Sequence, residues 1–239
     1  MIIGITLAVL LAVVGVILYL MYMYNPVLVN GVIDARFPLD ITSENFPKTN
    51  NEFTLSFWYY IEGWKYKYNE TKKIVDWDNG KLTVELNSTN NTMIVRMFDL
   101  KGKTHECVIE DIKLQKWNFV CLTLWNRSLD IILDDKYAQS CAQDNAPDYS
   151  NSYHMEILGK DGFNGKMSNI YFYNYARRFE DSIELYKLGP YYESWIYGLS
   201  NKIKGSIKIN MSVSVNLEQD LIDMNDINYQ GQGGINIDL

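Results

Sequence analysis

The sequence holds two histidines, three cysteines, five prolines and no run of lysine or arginine. Each shortage removes a class of function. A zinc site needs closely spaced cysteine and histidine ligands, and Cys107, Cys121 and Cys141 form no CxxC pair. Nucleic-acid binding rests on clustered basic residues that neutralise phosphates. Here 29 acidic residues outnumber 22 basic ones, for a formal charge of −7. Nucleophile-elbow, phosphate-loop and HExxH motifs are missing too, so nothing local announces catalysis. The odd cysteine count gives no disulfide framework. Cys121 lies in the apolar run Trp117–Trp125, as a buried free thiol would, and a Cys107–Cys141 bridge in an oxidising compartment stays open.

What is abundant lies first at the N-terminus. Residues Ile2–Tyr24 carry no charge and are apolar apart from Thr6 and three tyrosines. At about 1.5 Å per residue this stretch spans roughly 34 Å as a helix, enough for a bilayer core of ~30 Å. Tyr19, Tyr22 and Tyr24 gather where aromatic rings favour the headgroup boundary, and Asn25-Pro26 ends the helix. A cleaved signal peptide would need a basic start, a shorter apolar core and a small-residue cleavage site, none of which is present. The stretch predicts a retained single-pass anchor, residues 1–25, with the lipid bilayer as its partner through 2–24. No Lys or Arg precedes Arg36, so orientation has almost nothing to rest on. Gly4, Ala8 and Ala12 form a small-residue row that could pack on another membrane helix, although such residues are common in these helices anyway.

Beyond the anchor, short β-type runs recur every 8–12 residues: Val32–Leu39, Phe53–Ile61, Lys73–Trp77, Lys81–Asn87, Thr92–Asp99, His105–Ile112, Trp117–Trp125, Leu129–Asp134, Met155–Leu158 and Lys166–Asn174. Turn signals join them at Asp78-Asn79-Gly80, Leu100-Lys101-Gly102 and Asn126-Arg127-Ser128. In Phe53–Ile61 alternation puts Phe53, Leu55, Phe57, Tyr59 and Ile61 on one face, and the other face is apolar enough for a central strand. Gly159, Gly162 and Gly165 suggest a turn at positive φ. One helix is expected over Arg178–Lys187, with Phe179, Ile183 and Tyr186 on its stripe. The pattern predicts an all-β, antiparallel sandwich over 26–190.

The stretch Met155–Pro190 resembles the closing segment of laminin-G-like domains, members of the concanavalin-A-like jelly rolls. Ile157-Leu158-Gly159, Phe163-Asn164-Gly165-Lys166-Met167, Tyr173-Asn174-Tyr175-Ala176 and Glu184-Leu185-Tyr186 carry the match. Phe53, Thr54, Ser56 and Trp58 match an early segment of the family; Trp117, Leu129 and Asp134-Asp135-Lys136 match a later one, with Asp135 where glycine is usual. The resemblance covers about residues 30–190. It implies a two-sheet jelly-roll sandwich with a first strand paired with the last near Tyr171, and binding more often than catalysis. It also raises glycan hydrolysis, since the superfamily includes such enzymes. Their carboxylate signature is absent here, and the nearest candidates, Glu106, Glu110 and Asp111, read as surface charges. Some relatives bind calcium at loop edges; the acidic turns offer Asp76, Asp78 and Asp134 as weak candidates, at spacings that solvated turn residues explain equally well. No other cofactor is expected.

Past Pro190 the resemblance stops, leaving 191–239 as an extension. Ile207, Ile209, Met211, Val213, Val215 and Leu217 alternate strictly with polar residues, one amphipathic strand that must find a sheet or a partner protein. Residues 225–239 read as a tail ordered by a partner. For a glycan ligand, Trp64, Tyr66 and Tyr68 in GWKYKYN are the ring-bearing candidates, with a protein interface and a loop folded onto the core as the alternatives. Sequons at Asn69, Asn87, Asn90, Asn126 and Asn210 would allow glycosylation in a lumenal domain. Together these features suggest a non-enzymatic, membrane-anchored jelly roll on the outer side of a membrane. Its expected role is adhesion or assembly, in a setting such as the virion of a large membrane-containing virus. A surface lectin is the alternative and a glycan hydrolase the third reading.

Overall fold

The computed structural model describes residues 6–7, 9–16, 26–41, 51–149, 154–159 and 162–194. Contacts divide the chain into residues 26–194 and a second unit of 1–25 with 195–239. In that second unit residues 6–7 and 9–16 are helical, with Leu7, Val9, Leu10, Leu11, Val13 and Val16 all exposed. Among the described residues no helix is long and apolar enough to cross a membrane. The rest of 2–24 and the expected strand Ile207–Leu217 lie outside the described residues.

Residues 26–194 form a sandwich of two six-stranded antiparallel sheets. The first contains, in spatial order, β1 (Val27–Asp34), β12 (Gly165–Tyr173), β3 (Phe53–Ile61), β8 (Trp117–Trp125), β9 (Ser128–Leu133) and β10 (Lys136–Ala142). The second contains β2 (Leu39–Ile41), β11 (Met155–Ile157), β4 (Lys72–Trp77), β5 (Leu82–Leu86), β6 (Met93–Phe98) and β7 (Thr104–Ile109). One helix, α1 (Phe179–Leu188), follows the last strand.

The pairing of first and last strands is as the sequence suggests: Val27 lies opposite Tyr171. The first strand itself differs from the expected Val32–Leu39. It starts five residues earlier and stops at Asp34, because Ala35–Pro38 turns away. The Asp34 carboxylate accepts the Arg36 N–H at 3.0 Å and holds the Arg36 guanidinium, which fixes that turn. β10 is a strand that periodicity does not reveal, since KYAQSCA has no apolar alternation.

β3 explains the layering. Its residues are buried on both faces apart from Tyr60. Phe53, Leu55, Phe57, Tyr59 and Ile61 enter the core between the sheets. Trp58 points the other way, into a smaller core with Phe119, Ile132, Tyr171 and Leu185, where its ring stacks on Tyr186 at 5.4 Å. α1 thus covers the outer face of the first sheet. Its buried residues are Ser182 and Leu185, whereas Phe179, expected on the stripe, is 40% exposed. The small Ser182 side chain lets the helix settle closely, and Gly189 at φ +80 ends it. Asn169, itself at positive φ in a bulge of β12, donates to the Gly189 carbonyl at 3.0 Å and accepts from Gly31 N at 3.1 Å.

Cys107 on β7 and Cys141 on β10 form a disulfide. β7 and β10 are the corresponding edge strands of the two sheets, so the bridge fastens one side of the sandwich. Cys121 is buried and free, as the sequence suggests.

The sandwich has two ends. At one, the Trp64 end, lie the turns 35–38, 62–71, 87–92, 110–116 and 134–135. Gln115 N donates to Ile61 O at 2.8 Å, Ile112 N to Asn91 O at 3.0 Å and Asn69 N to Ser88 O at 3.2 Å, tying these turns together. At the other, the Trp125 end, lie Pro26 and the turns 78–81, 99–103 and 126–127. Residues 143–149 bridge this end: Gln143 N donates to Arg127 O at 2.8 Å, and Tyr149 Oη to Lys81 O at 3.2 Å.

Asp99 organises the 99–103 turn. Its carboxylate accepts Lys101 N and Lys103 N, both at 2.9 Å, and Asn145 Nδ2 at 2.9 Å. These donors, Asn145 foremost, hold its pKa at about 2, below the usual carboxylate value of 3.8. A carboxylate depressed on folding stabilises the fold fully above its unfolded value and loses that contribution as pH falls through the folded one. Thermal melts are therefore expected to show stability declining between about pH 4 and pH 2. The decline should be shallower in Asp99→Asn, and an unchanged slope in that variant would remove Asp99 from the account.

Candidate functional site

At the Trp64 end, the β3–β4 connection reverses through Lys67 at φ +47 and Asn69 at φ +68. This divides the three aromatic candidates. Trp64 turns inward and packs on the main core, with Lys72 Nζ 5.3 Å from its ring centroid. Lys72 is buried and donates to Glu70 O at 3.1 Å, and burial pulls its pKa down. Tyr66 is partly exposed, with Lys67 Nζ 5.8 Å from its ring centroid, and Tyr68 is 57% exposed. Of the trio, the tyrosines face solvent.

The same end carries a cleft of about 420 Å³ that no stretch of sequence announces. Lys113 and Lys116 come from the β7–β8 connection, Lys136 and Tyr137 from the start of β10, and Tyr186 from α1. Asp134 builds it. At φ +54 in the β9–β10 turn, it accepts Phe119 N through Oδ1 at 3.0 Å, so the turn is pinned to β8. Its Oδ2 lies 3.9 Å from Lys113 Nζ and 3.8 Å from Lys116 Nζ. Three lysines, Lys113, Lys116 and Lys136, face two carboxylates, Asp134 and Asp135, so the lining carries one positive charge in excess. Tyr137 is half-exposed and donates to Asp130 Oδ1 at 2.9 Å, which orients its ring. Rings beside ammonium groups suit a ligand with an apolar face and an anionic substituent. A smaller cleft of about 190 Å³ at this end is lined by Asp34, Arg36, Glu62 and Lys166.

The other candidates are dispersed. Asp76 lies on β4, where Lys73 Nζ meets Oδ2 at 2.8 Å and Oδ1 is buried without a hydrogen bond. Asp78 sits in the turn at the Trp125 end, paired with Lys81 at 2.8 Å, whereas Asp134 is at the opposite end of the other sheet. Among the described residues no three His, Cys, Asp or Glu side chains converge on a common metal position.

Glu106 is held by Arg96 Nε at 2.6 Å, and Arg96 Nη1 also meets Glu85. Glu110 and Asp111 lie beyond the end of β7. This carboxylate set does not form a facing pair around an open cleft. Across the outer face of the second sheet, register aligns Asp40, Glu156, Asp76, Thr83, Arg96 and Glu106 in one polar row, a placement set by pairing rather than by local sequence.

The fold and sequence were compared with known proteins. Among solved structures, the botulinum neurotoxin serotype D ligand binding domain in complex with N-acetylneuraminic acid is similar at TM-score 0.54 and 11% identity, over 69% of this chain and 44% of that one. The receptor binding domain of botulinum neurotoxin D gives TM-score 0.55 at 10% identity, over 68% and 46%. The botulinum neurotoxin serotype G binding domain gives 0.50 at 14%, again over 68% and 46%. The chain therefore spans under half the length of each, and the likeness is one of fold. A search of curated proteins finds no match to the sequence. The family model of the laminin-G type matches residues 38–181, from β2 into α1 and so across most of the sandwich. That match and the two antiparallel sheets agree: the chain belongs to the concanavalin A-like lectin/glucanase superfamily.

Proposed function

We propose that the chain is a non-catalytic recognition module tethered to a membrane by residues 2–24, whose Trp64 end binds an acidic glycan in adhesion. The observation that carries this is the cleft in which Lys113, Lys116 and Lys136 stand beside Tyr137 and Tyr186. A sugar offers a pyranose face to the rings and a carboxylate or sulfate to the lysines. The similar neurotoxin serotype D domain, solved with N-acetylneuraminic acid, supports the same ligand class. The tether is supported by the exposure of Leu7, Val9, Leu10, Leu11, Val13, Val14 and Val16 in the N-terminal helical residues. A helix apolar on every side is unfavourable in water and favourable in lipid. The Cys107–Cys141 bridge supports a domain on the non-cytosolic side, where disulfides persist.

Glycan-array binding by the full chain in detergent tests the ligand. Sialylated or sulfated glycans are expected to bind, and Lys116→Glu should weaken them about tenfold or more, the scale of one charge-assisted hydrogen bond. Binding is expected to survive chelation of calcium, since ammonium groups make the contact. If neutral glycans bind equally well, the acidic class is wrong. If Tyr68→Ala removes binding and Lys116→Glu does not, the ligand sits on the GWKYKYN loop instead. Release of sugar from any polysaccharide would overturn the non-catalytic reading.

A second reading, assembly, is favoured by one observation: six apolar residues from Ile207 to Leu217 alternate strictly with polar ones. Such a strand can complete a neighbouring sheet, and a virion membrane is a setting that suits a tethered jelly roll with a partner-seeking extension. Deleting residues 201–239 should then release the protein from its complex; normal assembly of the deletion variant would end that reading.

A further inference from the structure

We infer that the lysine cleft continues into a second, ring-binding subsite, a platform of Tyr60, Trp117 and Tyr191, and that the ligand is an oligosaccharide with neutral sugars beyond its acidic one. This rests on the proposed acidic-glycan reading and deepens it, since the cleft alone would be filled by a single acidic sugar.

Register assembles the platform. Tyr60 shares the outer face of the first sheet with Trp58, two residues before it, and lies opposite Trp117 on β8 and Lys166 on β12. The Tyr60 and Trp117 rings stand 5.7 Å apart, tilted by 57°. Both are partly exposed, whereas Trp58 and Phe119, the next pair inward on this face, are buried beneath Tyr186 of α1.

Tyr191 completes it. Its side chain is 72% exposed, yet it is held in place. Trp117 Nε1 donates to Tyr191 Oη at 2.9 Å, and the two rings meet edge to face at 5.7 Å. The backbone is fastened on either side: Ser168 Oγ donates to Pro190 O at 2.5 Å, and Ser194 N to Asn30 Oδ1 at 2.7 Å. An exposed ring restrained in this way has already lost the freedom that binding would otherwise remove. A flat, pre-set ring suits the apolar face of a sugar.

The platform is continuous with the cleft. Lys116 lines the cleft and Trp117 follows it in sequence, while Tyr186, a ring of the cleft, packs with Trp117 on the same smaller core. From Lys136 on β10 to Tyr60 on β3 the path crosses β9 and β8, about 14 Å at the usual strand spacing. Linked sugars occupy such a path better than one sugar does. Charge changes along it. The cleft carries its excess lysine, whereas the platform has no charged member, and Lys166 beside it has Asp34 opposite. The chemistry that fits is an acidic sugar in the cleft followed by neutral sugars on the rings.

Titration calorimetry of the full chain in detergent tests this. The probes are the methyl glycoside of N-acetylneuraminic acid and sialyllactose, in which the same acid is joined to neutral sugars. A galactose sulfate and a trisaccharide ending in it form the sulfated pair. In at least one pair the trisaccharide is expected to bind about tenfold or more tightly than its monosaccharide. Tyr191→Ala should remove that advantage and leave the monosaccharide's affinity unchanged. Tyr191→Phe keeps the ring but loses the bond from Trp117, and should give an intermediate value.

If trisaccharide and monosaccharide bind alike, or if Tyr191→Ala leaves the advantage intact, the platform is overturned as a subsite and the cleft reading stands. If no member of either pair binds, the acidic-glycan reading fails and this inference falls with it.

Discussion

Replacing Cys107 and Cys141 together by alanine is expected to lower the melting temperature on the order of 10 °C. The estimate follows from the topology of the bridge. The cysteines are 34 residues apart, and a cross-link closing a loop of that length removes unfolded-chain entropy equivalent to about 4 kcal/mol. For a domain of this size each kcal/mol moves the midpoint by roughly 2–4 °C. The bridge also has a local task. β10 is largely exposed and among the described residues pairs with β9 alone, and across the gap to β7 Gln139 Nε2 donates to Val108 O at 3.2 Å. Without the disulfide this side of the sandwich is expected to open first, seen as faster amide exchange in 104–109 and 136–142 than in β3. Native protein should yield no reactive thiol and denatured protein one, Cys121. A midpoint within about 2 °C of the wild type, the scale of half a kcal/mol or so, would mean that strand pairing alone closes that edge.

How far the sequence anticipates the structure depends on whether burial leaves a periodic mark. β3 and β8 are nine-residue runs buried between other strands, and their limits, Phe53–Ile61 and Trp117–Trp125, are those expected from the apolar pattern. β10 has polar residues on both sides and is defined by its neighbour β9 and its disulfide, so no pattern marks it. The helix is legible as a helix, and Ile183 and Tyr186 of its stripe do pack on the sheet, but Phe179 is exposed and fully buried Ser182 carries no hydrophobic signal. At the candidate site the legible part is the GWKYKYN loop, a local cluster of rings. The cleft is not legible, since Lys113, Lys116, Lys136 and Tyr186 meet through turns and a helix placed by the whole sandwich. The Trp125 end is equally silent: a tryptophan closing an apolar strand looks like core until the turn after it places the ring in solvent.

Gly165→Ala is expected to cost about 3 kcal/mol or more, enough to lower the melting temperature by roughly 6–12 °C and to reduce the yield of folded protein. The sequence explains glycine here by a turn at positive φ, but Gly159, Gly162 and Gly165 are not among the residues that adopt it; Leu158, at φ +58, is. Their reason is space. A Cβ on Gly165 would fall inside the contact radius of the Tyr60 carbonyl oxygen and lie 2.8 Å from the Phe163 ring. One on Gly162 would collide with the Ala35 carbonyl, and one on Gly159 would come within 2.9 Å of the Glu156 carboxylate. The Glu156 side chain can swing aside; the two carbonyls belong to backbone and cannot move without shifting the start of β12. Gly165 lies opposite Ile61, and its own carbonyl accepts Ala35 N at 3.0 Å, so displacement there disturbs the sheet on both sides. Gly102→Ala is the contrasting variant. That glycine has φ +75 and nothing within 4 Å of an added Cβ, so it should cost about 1 kcal/mol, the conformational penalty alone. Equal losses in the two variants would restore the turn as the common reason. A Gly165 loss several times larger identifies it as the point where last strand and third strand approach too closely for any side chain.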